Sequence, residues 1–261
     1  MNIIVCVKQV PGSSEVEVDP ETGVLKREGF STKLNPYDLY SLEMSFSLRE
    51  KYGGTVRTLT MGPPQAKAAL YETIHMGADE GTLLTDRAFG GADCLATSYA
   101  LSQAIRKMEP YDLILCGKQT TDGDTAQVGS ELSEELGIPN IGNAVAIEKQ
   151  DGFVIVTQNL DDRVVVKKVP LPCLICADSE INTPRLPSYR RSLETSEESI
   201  TVYTLADCPD QDKSHYGLLG SATNVERIFP PEKNTDRKIL EGSSEEVSAQ
   251  IFGLLKNGKY V

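Results

Sequence analysis

The chain has 261 residues, 39% hydrophobic and 25% charged, with a formal net charge of -12. That length sustains a full α/β core without help from disulfides or metals. The acidic balance excludes a nucleic-acid partner, whose phosphates it would repel, and no apolar run approaches membrane-spanning length.

The chain opens on "MNIIVCVKQVP" without a basic leader or a cleavage pattern, so it reads as cytoplasmic. Strand-like runs fall at 3–8, 55–61, 81–85 and 112–116, with helix-period segments at 36–50, 64–75 and 93–108 between them. Asn35 stands where it can cap the first helix, Pro36 suits its first turn, and Asp38 occupies a capping-box position. A further helix is predicted from Asp124, with Gln127 completing a capping box and Gly137 and Pro139 stopping it. Strands alternating with helices imply a doubly wound α/β fold, a mainly parallel sheet whose ligand lies beyond the C-terminal strand ends.

From about 143 to 178 the runs are separated by short turns and read as antiparallel strands added to the sheet edge. The nucleotide-binding domain is therefore predicted over 1–180. Residues 181–261 are polar and proline-rich, with one apolar run, "ITVYTL", and a helix near 245–256. They read as a docking segment and an extended arm rather than a second domain.

Four strand-to-helix junctions share the ligand-facing edge: "KQVPGSS", "MGPPQA", "FGGADCLATS" and "GKQTTDGDTAQVG". The last leaves helix N–H groups beside glycines, a generic phosphate site, and Lys118 adds a cation. Two readings stay open: a phosphate cradle, or Asp122 turning the loop while Asp124 caps the helix. There is no G-x-G-x-x-G after the first strand and no Walker A sequence, against an ordinary dehydrogenase or a P-loop enzyme. Six cysteines are scattered through mostly apolar runs and read as reduced thiols. Cys173 and Cys176, three apart on a strand, point to opposite faces and form no metal site. His75 and His215 stand alone.

The segments "VCVKQVP", "NPYDLYSLE", "MGPPQA", "GADEGTLLTDRAFGGAD", "GKQTTDGDTAQVGSELSEELGIP" and "INTPRLPS" occur in this order. In order and spacing they resemble the small (β) subunit of electron-transfer flavoproteins over roughly 1–190, and in detail its flavin-bifurcating branch. The resemblance implies an FAD, or in the alternative a structural AMP, in the crevice. It would be held by Cys6, Lys8, Asn35, Tyr37, Asp38, Met61, Gly62, Thr97, Gly117, Lys118, Gln119, Asp122, Gly123, Asp124, Thr125, Gln127 and Val128. It implies NADH as electron donor, approaching Gly90, Gly91 and the Val10–Ser14 loop, and a heterodimer with the α subunit. Ferredoxin or flavodoxin and a flavin dehydrogenase (an acyl-CoA or enoyl-CoA reductase, or a lactate dehydrogenase) are the implied acceptors. The dehydrogenase would dock on Asn182, Pro184, Arg185, Leu186 and Tyr189. The chain departs from the family at Gly12, where Asp is usual, and after residue 190.

Overall fold

The computed structural model of the chain describes residues 1–12, 32–226, 235 and 237–261. Ser13 and Ser14 of the expected Val10–Ser14 loop lie outside them. The first half runs β1 (Asn2–Cys6), β2 (Gln9–Pro11), β3 (Thr32–Leu34), α1 (Pro36–Tyr52), β4 (Thr55–Met61), α2 (Lys67–Met76), β5 (Glu80–Leu84), α3 (Cys94–Lys107), β6 (Leu113–Gly117) and α4 (Val128–Leu136). The second half runs β7 (Asn140–Gln150), β8 (Phe153–Leu160), β9 (Arg163–Pro170), β10 (Cys173–Ala177), α5 (Tyr189–Glu194), β11 (Ile200–Tyr203), α6 (Gly217–Gly220) and α7 (Ser244–Asn257).

One nine-stranded sheet has the order β11-β5-β4-β1-β6-β10-β7-β8-β9, and β2 pairs with β3 as a separate ribbon. From β11 to β7 every neighbouring pair is parallel, whereas β8 and β9 are antiparallel. Alternation along β1 shows how the sheet divides two cores. Ile3, Val5 and Val7 face Leu42 and Phe46 of α1 and Leu70 and Ile74 of α2, while Ile4 and Cys6 face Leu101 and Ile105 of α3 and Leu132 of α4.

Two expectations for the second half are corrected. The run at 173–177 is no edge strand: β10 sits between β6 and β7, parallel to both. All five of its residues are buried, because helices cover both faces, and an unbroken apolar run is the signature of such a strand. Within the nine-stranded sheet, antiparallel pairing is confined to the outer half of β7 with β8 and β9. β7 changes partner at a bulge between Ala144 and Ala146, next to Asn143 with φ 51°.

The boundary at 180 also moves. "ITVY" is β11, which extends the opposite edge parallel to β5, and Leu205, Cys208 and Tyr216 then fill the core beneath α3. The run "ITVYTL" stands among polar and proline-rich stretches, so it reads as part of the arm, whereas its pairing partner β5 lies far earlier in the chain. None of the residues of α7 is buried.

Cys173 and Cys176 do face opposite cores. Cys6, Cys116 and Cys176 form a row across three adjacent strands. Gly129 of α4 lies so close to that row that a side-chain carbon there would run into Cys176 Sγ. Gly129→Ala should therefore destabilise the fold by about 1–3 kcal/mol, and Cys176→Ala in the same chain should recover part of the loss. Denaturant titration of the single and double variants checks this.

Candidate functional site

From β1 the chain steps outward to β4 and β5 on one side, then returns to place β6 on the other. The ends of β1 and β6 therefore diverge, and this switch point is where an open α/β sheet forms its crevice. The N-terminus of α1 closes its floor. Asn35 is fully buried, and its side chain serves tertiary contacts instead of capping α1. Its Nδ2 donates to the Gln119 carbonyl at 2.9 Å, its Oδ1 accepts from the Thr121 amide at 3.3 Å, and its own amide donates to the Lys8 carbonyl at 2.9 Å.

Asp38 makes no capping box either. Its Oδ2 accepts from the Lys8 amide at 2.7 Å, and a side-chain carbon on Gly117 would run into its other oxygen. Gly117 thus lets the head of α1 touch the end of β6. Asp38 is 5% exposed, and burial pushes its carboxyl up to about 7 against hydrogen bonds that favour the charge.

The loop after β6 lies over this floor. Lys8 Nζ reaches both Asp122 oxygens at 2.8 Å. Burial alone would raise Asp122, but Lys8 holds it below the usual carboxylate range. Gln119 Nε2 donates to Asp124 at 2.6 Å and to the Tyr37 hydroxyl at 3.3 Å. Thr125 Oγ1 lies 3.1 Å from Cys94 Sγ in the first turn of α3.

The expected cap at Asp124 is corrected. The helix starts at Val128, Asp124 sits at φ 52° engaged with Gln119, and the residue before the helix, Gln127, makes no side-chain cap. Asx residues tolerate that left-handed backbone, so Asp124 serves the loop. The consequence is chemical: the first-turn N–H groups of α4 lack a side-chain acceptor at the ligand-facing edge, which is what an anion site requires. Ala126 is also left-handed, at φ 56°, strain that a non-glycine residue seldom bears away from functional loops. The uncapped amides and the left-handed loop fit a nucleotide's phosphate.

Not every expected residue joins the network. Lys118 turns to Asp178 at the end of β10, at 2.9 Å. Cys6 is packed in the core. Met61 and Gly62 end β4 next door, and Thr97 is half-buried on α3. Gly123 belongs to a turn closed by Thr120 Oγ1, and Val128 packs on the α3–α4 core. Val10 is 1% exposed, so its side chain is unable to meet NADH: the β2–β3 pairing turns it inward. Gly90 and Gly91 carry the C-terminal segment, accepting from the Leu218 amide at 3.0 Å and the Ser221 hydroxyl at 3.4 Å. Sequence reasoning missed Thr120, Cys94 and Asp178. The Thr-x-x-Gly spacing of a side-chain turn signals the first, and no local pattern signals the others.

A family profile described as "Electron transfer flavoprotein domain" matches residues 22–207. Among curated relatives, the electron transfer flavoprotein subunit beta of Clostridium acetobutylicum is 41% identical over 261 residues, covering 100% of both chains. The caffeyl-CoA reductase-Etf complex subunit CarD of Acetobacterium woodii is 42% identical, covering 98% of each chain. Protein FixA of Azorhizobium caulinodans is 39% identical, covering 97% of this chain and 92% of that one. The chain belongs to the electron-transfer flavoprotein β-subunit family.

In this β subunit the expected docking residues separate into two kinds. Asn182 and Arg185 are tethers. Asn182 Nδ2 donates to the Tyr40 carbonyl at 2.9 Å, and Arg185 grips Glu43 at 2.8 and 2.9 Å and Glu50 at 2.8 Å across the ring of Phe46. Arg191 adds a second anchor, donating to the carbonyls of Ile74 and Ala78 at 2.7 and 2.8 Å. Between and beyond these anchors Leu186, Tyr189 and Leu193 are 87%, 78% and 71% exposed. Pro184 stiffens the turn into the strap. Among the described residues no helix is long and apolar enough to cross a membrane.

Ala126→Gly should raise stability by about 0.5–1 kcal/mol by relieving the left-handed backbone, measured by denaturant unfolding. Asp38 yields a second expectation. Between about pH 4 and about pH 7 the folded chain keeps a proton that the unfolded chain has lost, so this carboxyl's contribution to stability falls as pH rises. Asp38→Asn should flatten that fall, worth up to about 4 kcal/mol, in unfolding curves recorded across the window.

Proposed function

We propose that the crevice between β1 and β6 binds FAD, and that the chain is the NADH-facing subunit of a bifurcating electron-transfer flavoprotein. The observation that carries the reading is the uncapped N-terminus of α4 at the switch point, reached by a strained loop over a glycine. When bound, the flavin supplies two-electron acceptance from NADH and one-electron delivery. On this reading the acceptors would be ferredoxin or flavodoxin and, by way of the α subunit, a partner dehydrogenase.

The chain's own residues bind and orient. The amides of α4 face the phosphate, and Asp122, Asp124 and Thr125 offer oxygens to hydroxyl groups. Gly90 and Gly91 line the NADH side with backbone alone. The strap held by Arg185 and Arg191 presents Leu186, Tyr189 and Leu193 to the dehydrogenase, and the apolar face of α7 covers the α subunit. Likeness to subunit CarD of a caffeyl-CoA reductase-Etf complex supports an acyl-CoA or enoyl-CoA class of partner.

Nucleotide released by heat from the copurified heterodimer and resolved by chromatography tests this. Two FAD per heterodimer are expected, whereas one FAD with one AMP would make this subunit's nucleotide structural. Leu186→Glu should slow electron delivery to the dehydrogenase by about tenfold at limiting partner, with nucleotide content unchanged. Stopped-flow reduction of the dehydrogenase checks it.

A further inference from the structure

Asp38 differs from the other carboxylates around the crevice. Asp122 is held by Lys8 and Asp178 by Lys118, and both pairs keep these acids below the usual range although burial opposes it. Among the described residues no Lys, Arg or His nitrogen forms an ion pair with Asp38; its hydrogen-bond partners are backbone amides and Asn35, and the charge of Lys8, engaged by Asp122, favours its ionised form only weakly against burial. It lies at the floor of the switch point, beneath the loop that carries the chain to α4.

The groups around it can be taken element by element. On β1 stand Cys6 and Lys8, the latter already paired. On β6 and just after it stand Cys116, a buried thiol held well above the ordinary range, and Lys118, paired with Asp178 of β10. On the loop stand Asp122, paired, and Asp124, bonded to Gln119; on α1 stands Tyr37. Both nearby lysines are thus paired within the chain, and among the described residues an incoming diphosphate meets no spare lysine beside Asp38. A buried charge on Asp38 would oppose it at short range through protein of low dielectric. Neutral Asp38 would not: with the proton on Oδ1, Oδ2 still accepts from the Lys8 amide, so the floor keeps its shape.

We propose that binding of an adenine-nucleotide diphosphate over the ends of β1 and β6 is coupled to uptake of one solvent proton at Asp38. The proposal rests on the nucleotide reading above and adds the residue that adjusts the site's charge. Burial that pushes this carboxyl to about 7 places the exchange in the working range. Asp38 is thereby a positioning residue that also balances charge.

The test uses the full chain stripped of nucleotide, with FAD as probe, because its diphosphate keeps a constant charge over this range. Calorimetry at about pH 6.5, 7.5 and 8.5, in two buffers of different ionisation heat, reads affinity and proton uptake together. Wild type should lose affinity by on the order of tenfold from the lowest to the highest pH and take up close to one proton per FAD at the highest. Asp38→Asn should bind with no such slope and no uptake, nearly as tightly at high pH as wild type does at low pH. The same slope and uptake in Asp38→Asn, or none in wild type, would overturn the proposal. If Asp38→Asn fails to fold by circular dichroism, the carboxyl carbon of Asp38 followed by 13C resonance in wild type decides. Its midpoint should move to higher pH when FAD binds, and an unmoved midpoint overturns the coupling. Absence of FAD and AMP binding at every pH would instead refute the nucleotide reading, and this inference with it.

Discussion

Two side chains at the head of α1, Asn35 and Asp38, are of types that ordinarily satisfy the amides of their own helix. Here they face away from it and bond to the end of β1 and to the loop after β6. The helix gives up a side-chain cap for this, with Pro36 preset in its first turn and Leu42 and Phe46 buried beneath it. The rest of the crevice follows from that bridge. It fixes how far the two strand ends stand apart, it demands glycine at 117, and it sends the following loop across the floor to reach α4.

Electrostatics in the crevice are local. An acidic chain offers an anion no help from its overall field, so attraction must come from oriented amides. Lysines that a sequence reader assigns to phosphate are engaged with neighbouring carboxylates, which fixes their geometry and cancels their charge. The uncapped first-turn amides of α4 stand where a basic pocket would otherwise be. The same use of cations for internal order recurs at the strap, where Arg185 and Arg191 bind α1 and the end of α2. The ordering entropy of that segment is thereby met before any partner arrives, and its apolar side chains are left outward.

The parallel core was legible because its helices carry period-3.6 stripes and its strands short apolar runs. The loop at 117–129 was legible as the connection from the end of β6 to the next helix for the same reason. What failed were assignments that depend on partners far away in sequence. β10 read as an edge strand because it follows a hairpin, yet its unbroken burial comes from α1 and α4 on opposite faces. β11 read as arm because its parallel partner, β5, lies more than a hundred residues earlier. Asp124 read as a cap because its spacing to Gln127 suits one, but Gln119 and a left-handed backbone claimed it first.

By itself the sequence determined the alternation of strand and helix, the edge on which the loops gather, and the residue types able to meet a nucleotide there. These follow from short-range periodicity and from the stereochemistry of glycine, proline and Asx residues. Only the tertiary structure decided which of those polar groups face the crevice and which brace it. A hydrogen bond such as that from the Lys8 amide to Asp38 depends on the head of α1 folding back over the end of β1, and no local pattern encodes that.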